Sequence, residues 1–226
     1  MKDRFDEENT RDFTARNLVL CEGKADAAFF RHLLDANQIL GFQIGFPSRE
    51  TAVGQFGYTG FQKHLEGIKA RRGFADLQNI IIVRDSDLDP DHSFLDVCNH
   101  VRDAGGYVVP DAPGTPSGQN PAITILLIPS STEMGNLETL LLRAVNHDEK
   151  LTPCLDTYFG CCRFDDFPIT KSSKKKLTTT IAAWNHDNPS CSLVFLWSEE
   201  QAAHNPISIH HPAITKLADF LRGFAA

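Results

Sequence analysis

The chain has 226 residues, 42% hydrophobic and 23% charged, an ordinary globular balance with length enough to bury a sizeable core. A formal net charge of −7 excludes a protein that grips nucleic acid with its whole surface, so any polyanion must meet a local basic patch or a bound cation. No apolar run approaches the roughly 20 residues that span a bilayer, and the opening MKDRFDEENTRDF is charged where a secretory signal would be apolar, so a cytoplasmic protein without a membrane partner is expected.

Residues 1–16 read as a polar N-terminal segment. NLVLCEG (17–23) is expected to be a buried strand ending in a turn, and KADAAFFRHLLDAN (24–37) an amphipathic helix, with Ala27, Phe30, Leu33 and Leu34 at helical spacing. FQIGF (42–46) follows as a short strand. GQFGYTG (54–60) is a glycine-rich loop, readable as a phosphate cradle or a plain turn, and leads into a helix over 59–72. LQNIIIVRDSD is the second strong strand and SFLDVCNHVRDAGG a helix stopped by Gly105-Gly106. YVVP (107–110) is expected to be a strand, DAPGTPSGQNP a loop, AITILLIPS the third strong strand, and NLETLLLRAV a helix with Asn136 as N-cap.

The strands are continuous apolar runs rather than alternating ones, which marks parallel strands covered on both faces. The fold class is therefore α/β: a Rossmann-like, largely parallel sheet over 17–146, with a mainly helical C-terminal extension, 147–226, packed on it. In the extension, CLDTYFGCCRF, SKKKLTTTIAAWN and HPAITKLADFLRGF read as helices, and CSLVFLW as a strand or a short buried helix. The six cysteines contain no C-x-x-C pair, so they read as reduced thiols rather than a zinc site.

Chemistry gathers where the strong strands end. In an open parallel sheet, ligands sit outside the carboxyl ends of the strands. Glu22 and Asp26 follow the first strand, Asp85 and Asp87 the IIIVR run, and Glu138 the third. Glu22 and Asp26 are one helical turn apart, and Asp85 and Asp87 share a side if the strand continues that far. Acids so crowded repel one another unless a cation lies among them, and a hard divalent ion accepts one or two carboxylates, waters and phosphate oxygens. Two such ions can activate a water and stabilise the leaving oxygen of a phosphodiester. Each acid also has a plainer reading: Asp89 and Asp91, beside Pro90, as helix cap or turn formers, and Asp26 and Glu138 as first-turn acids that favour the helix dipole.

LVLCEGKADAAFF followed by IIIVRDSD resembles the TOPRIM domain, which carries Glu-Gly after its first strand and Asp-x-Asp after a later one and binds Mg²⁺. Asp26 and Glu138 fit the further acids of the overcoming-lysogenization-defect type of TOPRIM nuclease, and HHPAITKLADFL resembles the ending of stand-alone TOPRIM proteins of unknown function. The resemblance implies that Glu22 is a general acid/base or metal ligand, that Asp85 and Asp87 hold Mg²⁺, and that Asp26 and Glu138 complete a second position. One or two Mg²⁺ ions, or Mn²⁺, would be the cofactor. The activity implied is hydrolysis of DNA or RNA, in nucleic-acid processing or defence. Lys24, or a lysine among Lys171, Lys174, Lys175 and Lys176, would neutralise the phosphate. KARR, with Lys69, Arg71 and Arg72, and KSSKKK, with Lys171, Lys174, Lys175 and Lys176, are the candidate nucleic-acid contacts, or else solvated helix faces. Tyr58, Tyr107 and Tyr158 offer no convincing nucleophile, which favours hydrolysis over strand passage.

The rival readings are a degenerate TOPRIM serving as a metal- or nucleic-acid-binding interaction module for a partner ATPase, and a haloacid-dehalogenase-like phosphatase with Asp85 as nucleophile and Asp87 as acid. An EF-hand loop starting at Asp85 is weaker, because Pro90 stands where that loop needs glycine.

Overall fold

The structure, a computed structural model, describes residue 9 and residues 11–48, 51–52, 57–184, 192–197 and 205–225. Most of the polar segment 1–16, the start of GQFGYTG and Cys191 of CSLVFLW lie outside the described residues. Among those described, no helix is long and apolar enough to cross a membrane.

Four strands, β1 (Asn17–Leu20), β2 (Phe42–Gly45), β3 (Asn79–Asp85) and β4 (Ala122–Ile128), form one sheet in the order β2-β1-β3-β4. Every pairing is parallel, so all carboxyl ends lie at one edge. Helices make the crossovers: α1 (Lys24–Ala36), α2 (Phe61–Ile68) and α3 (Pro90–Ala104), with α4 (Leu137–Arg143) after β4. The C-terminal part adds α5 (Leu151–Cys161), α6 (Ile169–Trp184), a short α7 (Leu193–Leu196) within CSLVFLW, and α8 (Pro212–Arg222).

Strand parity divides the core. Val19, Ile81 and Val83 face α1, α4, α6 and α8, meeting Phe29, Phe30, Leu141, Leu177 and Leu221. Leu18, Leu20, Ile80 and Ile82 face α2 and α3, meeting Phe61, Leu65, Val97 and Val101. At about 25 cal/mol per Å² of apolar surface, two buried faces explain why these strands are apolar at nearly every position.

The structure corrects the sequence reading in places. YVVP is not a strand: β4 pairs with β3 alone in the sheet, while Tyr107 and Val109 pack against the α2–α3 layer and the Tyr107 hydroxyl donates to the Leu65 carbonyl. The helix expected over 59–72 is a 3₁₀ turn (Gly57–Gly60) followed by α2, which ends at Ile68. Helix α3 starts at Pro90, earlier than SFLDV suggests, because Asp89 accepts the His92 amide as N-cap and Pro90 needs no amide partner. That early start leaves no calcium-loop geometry after Asp85.

Candidate functional site

Three elements carry acids to the carboxyl edge. Strand β3 ends on Asp85, whose Oδ1 accepts the backbone N–H of Leu137 at 3.0 Å. That amide is the first of α4, so a carboxylate complements an otherwise open helix N-terminus. Glu138 is the next residue of α4, and Asn136 caps the helix through a reciprocal bond with Thr139. Asp26 lies in the first turn of α1, which begins at Lys24 after extended Gly23.

The parity that divides the core also sorts the acids. Asp85 follows Ile81 and Val83 onto the α1–α4 face, where its field reaches Asp26 and Glu138. Burial first, then the charges of Glu22 and Glu138, push the Asp26 carboxyl up to about 7. Asp85 is raised well above the ordinary carboxylate range by burial and by Glu22, Asp26 and Glu138, and the Leu137 amide opposes that rise. Lys174 of α6 approaches Glu138 at 3.7 Å.

On the opposite face stands a residue the sequence reading passed over. Arg84, 4% exposed, donates to Glu22 Oε1 and to Asp87 Oδ2 at 2.7 Å, and its guanidinium lies 4.2 Å from the centre of the Tyr58 ring. Glu22 Oε1 also accepts the Asp85 amide at 2.9 Å. Burial raises Glu22, and Arg84 opposes that rise. The signal was available: an arginine inside an apolar strand cannot be buried without acids around it.

Asp87 departs from the expectation. Strand β3 stops at Asp85, and Asp87 takes a left-handed φ of 50° while exchanging backbone bonds with Gly135. Its side chain therefore turns to Arg84 rather than continuing beside Asp85. Gly135 is required there: at its φ of 140° an added Cβ would sit 2.7 Å from Thr139 Oγ1.

The structure thus brings Asp26, Asp85 and Glu138 into one electrostatic cluster and places Glu22 with Arg84 and Asp87 beside it. Among the described residues no three His, Cys, Asp or Glu side chains are grouped closely enough to hold one metal ion. By donor chemistry one or two of Asp26, Asp85 and Glu138, oxygen ligands on the face away from Arg84, would hold a hard cation whose other positions waters or phosphate oxygens fill. Lys24 is the part-buried first residue of α1.

The two basic runs part company. Lys69, Arg71 and Arg72 follow α2 and precede β3, at the amino edge of the sheet. Lys69 donates to the carbonyls of Ala104 and Gly105 at the end of α3 and lies over Tyr107, Arg71 lies over Phe13, and the Arg72 carbonyl accepts the Phe13 amide. They are not brought to the acids. KSSKKK, by contrast, is inside α6, which docks on the α4 cap: Asn136 Nδ2 donates to the Thr170 carbonyl, and Ser173 Oγ donates to Asn136 Oδ1 at 2.7 Å. Lys171, Lys174 and Lys175 are exposed on α6, while Lys176 pairs with Asp165.

A family model described as "Protein of unknown function (DUF3226)" matches residues 16–225, so the chain belongs to that family. No curated protein and no solved structure matches it.

Proposed function

We propose that this member of the DUF3226 family is a metal-dependent phosphodiesterase that hydrolyses nucleic acid, built on a TOPRIM-like core. The observation that carries the reading is the convergence of Asp26, Asp85 and Glu138 from α1, β3 and α4, with the Asp26 carboxyl driven to about 7 by burial and by its acidic neighbours. Such uncompensated charge costs stability, and perturbed carboxylates of this kind gather at functional sites. The placement supports the same reading. Glu22 and Asp85 flank the β1–β3 boundary, where the strand order reverses and open α/β sheets bind ligands. Glu-Gly after β1 and Asp-x-Asp from the end of β3 match the TOPRIM pattern.

Asp26, Asp85 and Glu138 would hold Mg²⁺ or Mn²⁺, which when bound supplies Lewis-acid stabilisation of charge on the phosphate and an activated water. The chain's own residues do the rest. The Leu137 amide fixes the Asp85 carboxylate, and the Asp85 amide and Arg84 fix Glu22 Oε1. Glu22, raised by burial and held by Arg84 and the Asp85 amide, is suited to take a proton from an attacking water. Lys174, beside Glu138, is the lysine best placed to meet the phosphate, ahead of Lys24.

The test is cleavage of labelled DNA and RNA, single- and double-stranded, with Mg²⁺ or Mn²⁺. Asp85→Asn keeps an acceptor for the Leu137 amide and should fold. Loss of cleavage of the order of a thousandfold is expected. Cleavage unchanged in Asp85→Asn would sink the assignment.

One observation favours a second reading, an interaction module for a partner such as an ATPase. Arg84 already neutralises Glu22 and Asp87, and among the described residues no three ligands are grouped. Absence of metal-dependent cleavage on every substrate, with the fold intact, would select it.

A further inference from the structure

Helix α5 is an anomaly. Its sequence, LTPCLDTYFGC, is mostly apolar, yet it contributes no buried residue. Tyr158 is 48% exposed on it, and Phe167, in the link to α6, is 41% exposed. Burying a large aromatic is worth on the order of 2 kcal/mol, so a lone helix with its rings in water forgoes stability that a core position would provide. The rings nonetheless have a fixed arrangement. Tyr158 packs edge-on to Phe164 with centroids 5.9 Å apart, and Phe159 stacks on Phe164 at 5.6 Å.

The lysine helix lies against this cluster. Lys171, Lys174, Lys175 and Thr178 fall at i, i+3, i+4 and i+7 on the outer face of α6, while Ser173, Leu177, Thr180 and Ile181 face inward. Tyr158, Phe164, Lys174, Lys175, Thr178 and Thr179 line a groove of about 510 Å³, within the size range of pockets that take a small ring (roughly 300–1,000 Å³). Lys175 lies 5.5 Å from the Phe164 centroid and 5.1 Å from that of Phe167. A cation–π contact orients an ammonium without using its three N–H donors. Of the acids in the turn between the two helices, Asp165 pairs with Lys176 and Asp166 with Arg163.

We propose that the groove between α5 and α6 binds single-stranded nucleic acid, its bases stacking on Tyr158 in the groove and on Phe167 beyond Lys175, and its backbone running along Lys171, Lys174 and Lys175 toward Glu138. Exposed rings interleaved with cations are what an unpaired strand requires, since every base has a π-face and every link a negative charge. A duplex hides its bases and would leave the rings unused. Lys174 joins the two regions, lining the groove and approaching Glu138 at 3.7 Å. The inference deepens the hydrolytic reading by naming its substrate class, and rests on that reading only for the direction of the strand.

The test separates binding from hydrolysis. Labelled short oligothymidylate and oligouridylate are titrated in EDTA and followed by fluorescence anisotropy, with wild type, Tyr158→Ala, Phe167→Ala, Lys175→Ala and Lys69→Ala. Wild type should bind. Each aromatic variant should bind about tenfold more weakly, within the range of base–aromatic stacking. Lys175→Ala should lower the salt slope by about 0.7, and Lys69→Ala should change nothing. The oligothymidylate and oligouridylate arms decide between DNA and RNA. Tyr158, Phe167 and Lys175 are exposed, so unchanged melting temperatures of their variants will show that weakened binding is not unfolding. No binding by wild type, equal binding of the matching duplex, or full binding by both aromatic variants would overturn the groove. Displacement of the oligonucleotide by polyglutamate at equal charge would also overturn it, assigning the face to acidic peptides. Groove binding without cleavage would leave the inference standing and remove the hydrolase.

Discussion

At the amino edge of the sheet Lys69 caps the carbonyls of Ala104 and Gly105 and Arg71 lies over Phe13, while at the carboxyl edge Asp26 and Asp85 are raised by burial and by the charges of Glu22 and Glu138. Both edges carry dense charge. At the first, Lys69 meets two carbonyls and Arg71 a ring, and the charge holds the fold together. At the second, Arg84 offsets only Glu22 and Asp87, because strand parity puts it on the other face from Asp85. One edge uses charge for stability, and the other keeps charge that stability alone would not select.

The strongest way to break that contrast is to remove Arg84, the cation buried beside Glu22 at the carboxyl edge. Arg84→Met leaves Glu22 without its partner, and losing one member of a buried pair costs about 3–5 kcal/mol. At about 2–4 °C per kcal/mol for a chain of this size, the melting temperature should fall by roughly 10 °C. A fall of only a degree or two would mean that Arg84 does not compensate Glu22.

Next in size is the pH dependence. The folded Asp26 carboxyl, near 7, lies above the ordinary value of 3.8, so the native state holds this proton more tightly than the unfolded chain does. The contribution of this group is therefore fully favourable below about 4 and is lost as pH rises toward 7, by a few kcal/mol at most. Asp26→Asn should flatten the stability profile across that window and leave the variant more stable than wild type at pH 7. Urea unfolding between pH 4 and 8 checks it, and parallel profiles would show that Asp26 is not strained.

At the amino edge, Lys69→Ala should cost about 1.5–3 kcal/mol, the loss of charge-assisted bonds to two carbonyls. The smallest effect is expected from Lys175→Ala, within about 0.5 kcal/mol, because that residue is exposed. Measured together by denaturant titration, the two lysines sharpen the contrast. Equal costs would mean that the basic runs do the same work.

Much of this was legible before the structure. Ile80 to Val83 could be nothing but a strand buried on both faces, and Asn136, followed by Leu137 and Glu138, announced a helix start. Parallel strands then send their carboxyl ends to one edge, which is why Asp26, Asp85 and Glu138 could be gathered on paper. The misses share a cause. Asp87 would share a side with Asp85 only if the strand continued that far, but its backbone turns left-handed to pair with Gly135, a residue 48 positions away. Lys69 and Lys175 look alike in sequence, and their roles differ only because α3 ends beside one and a cluster of rings beside the other.

Local pattern determined which segments are strands and helices, since apolar period and capping residues act within a few positions. It also fixed the faces of β3, because side chains alternate along a strand. Only the tertiary structure decided which charges meet: that Arg84 takes Glu22 and Asp87, that α6 docks on the α4 cap and brings Lys174 to Glu138, and that the rings of Tyr158 and Phe167 remain in water. Those pairings depend on distances across the sheet edge between residues far apart in the chain, and a charge's energy is set by what lies within a few ångströms of it.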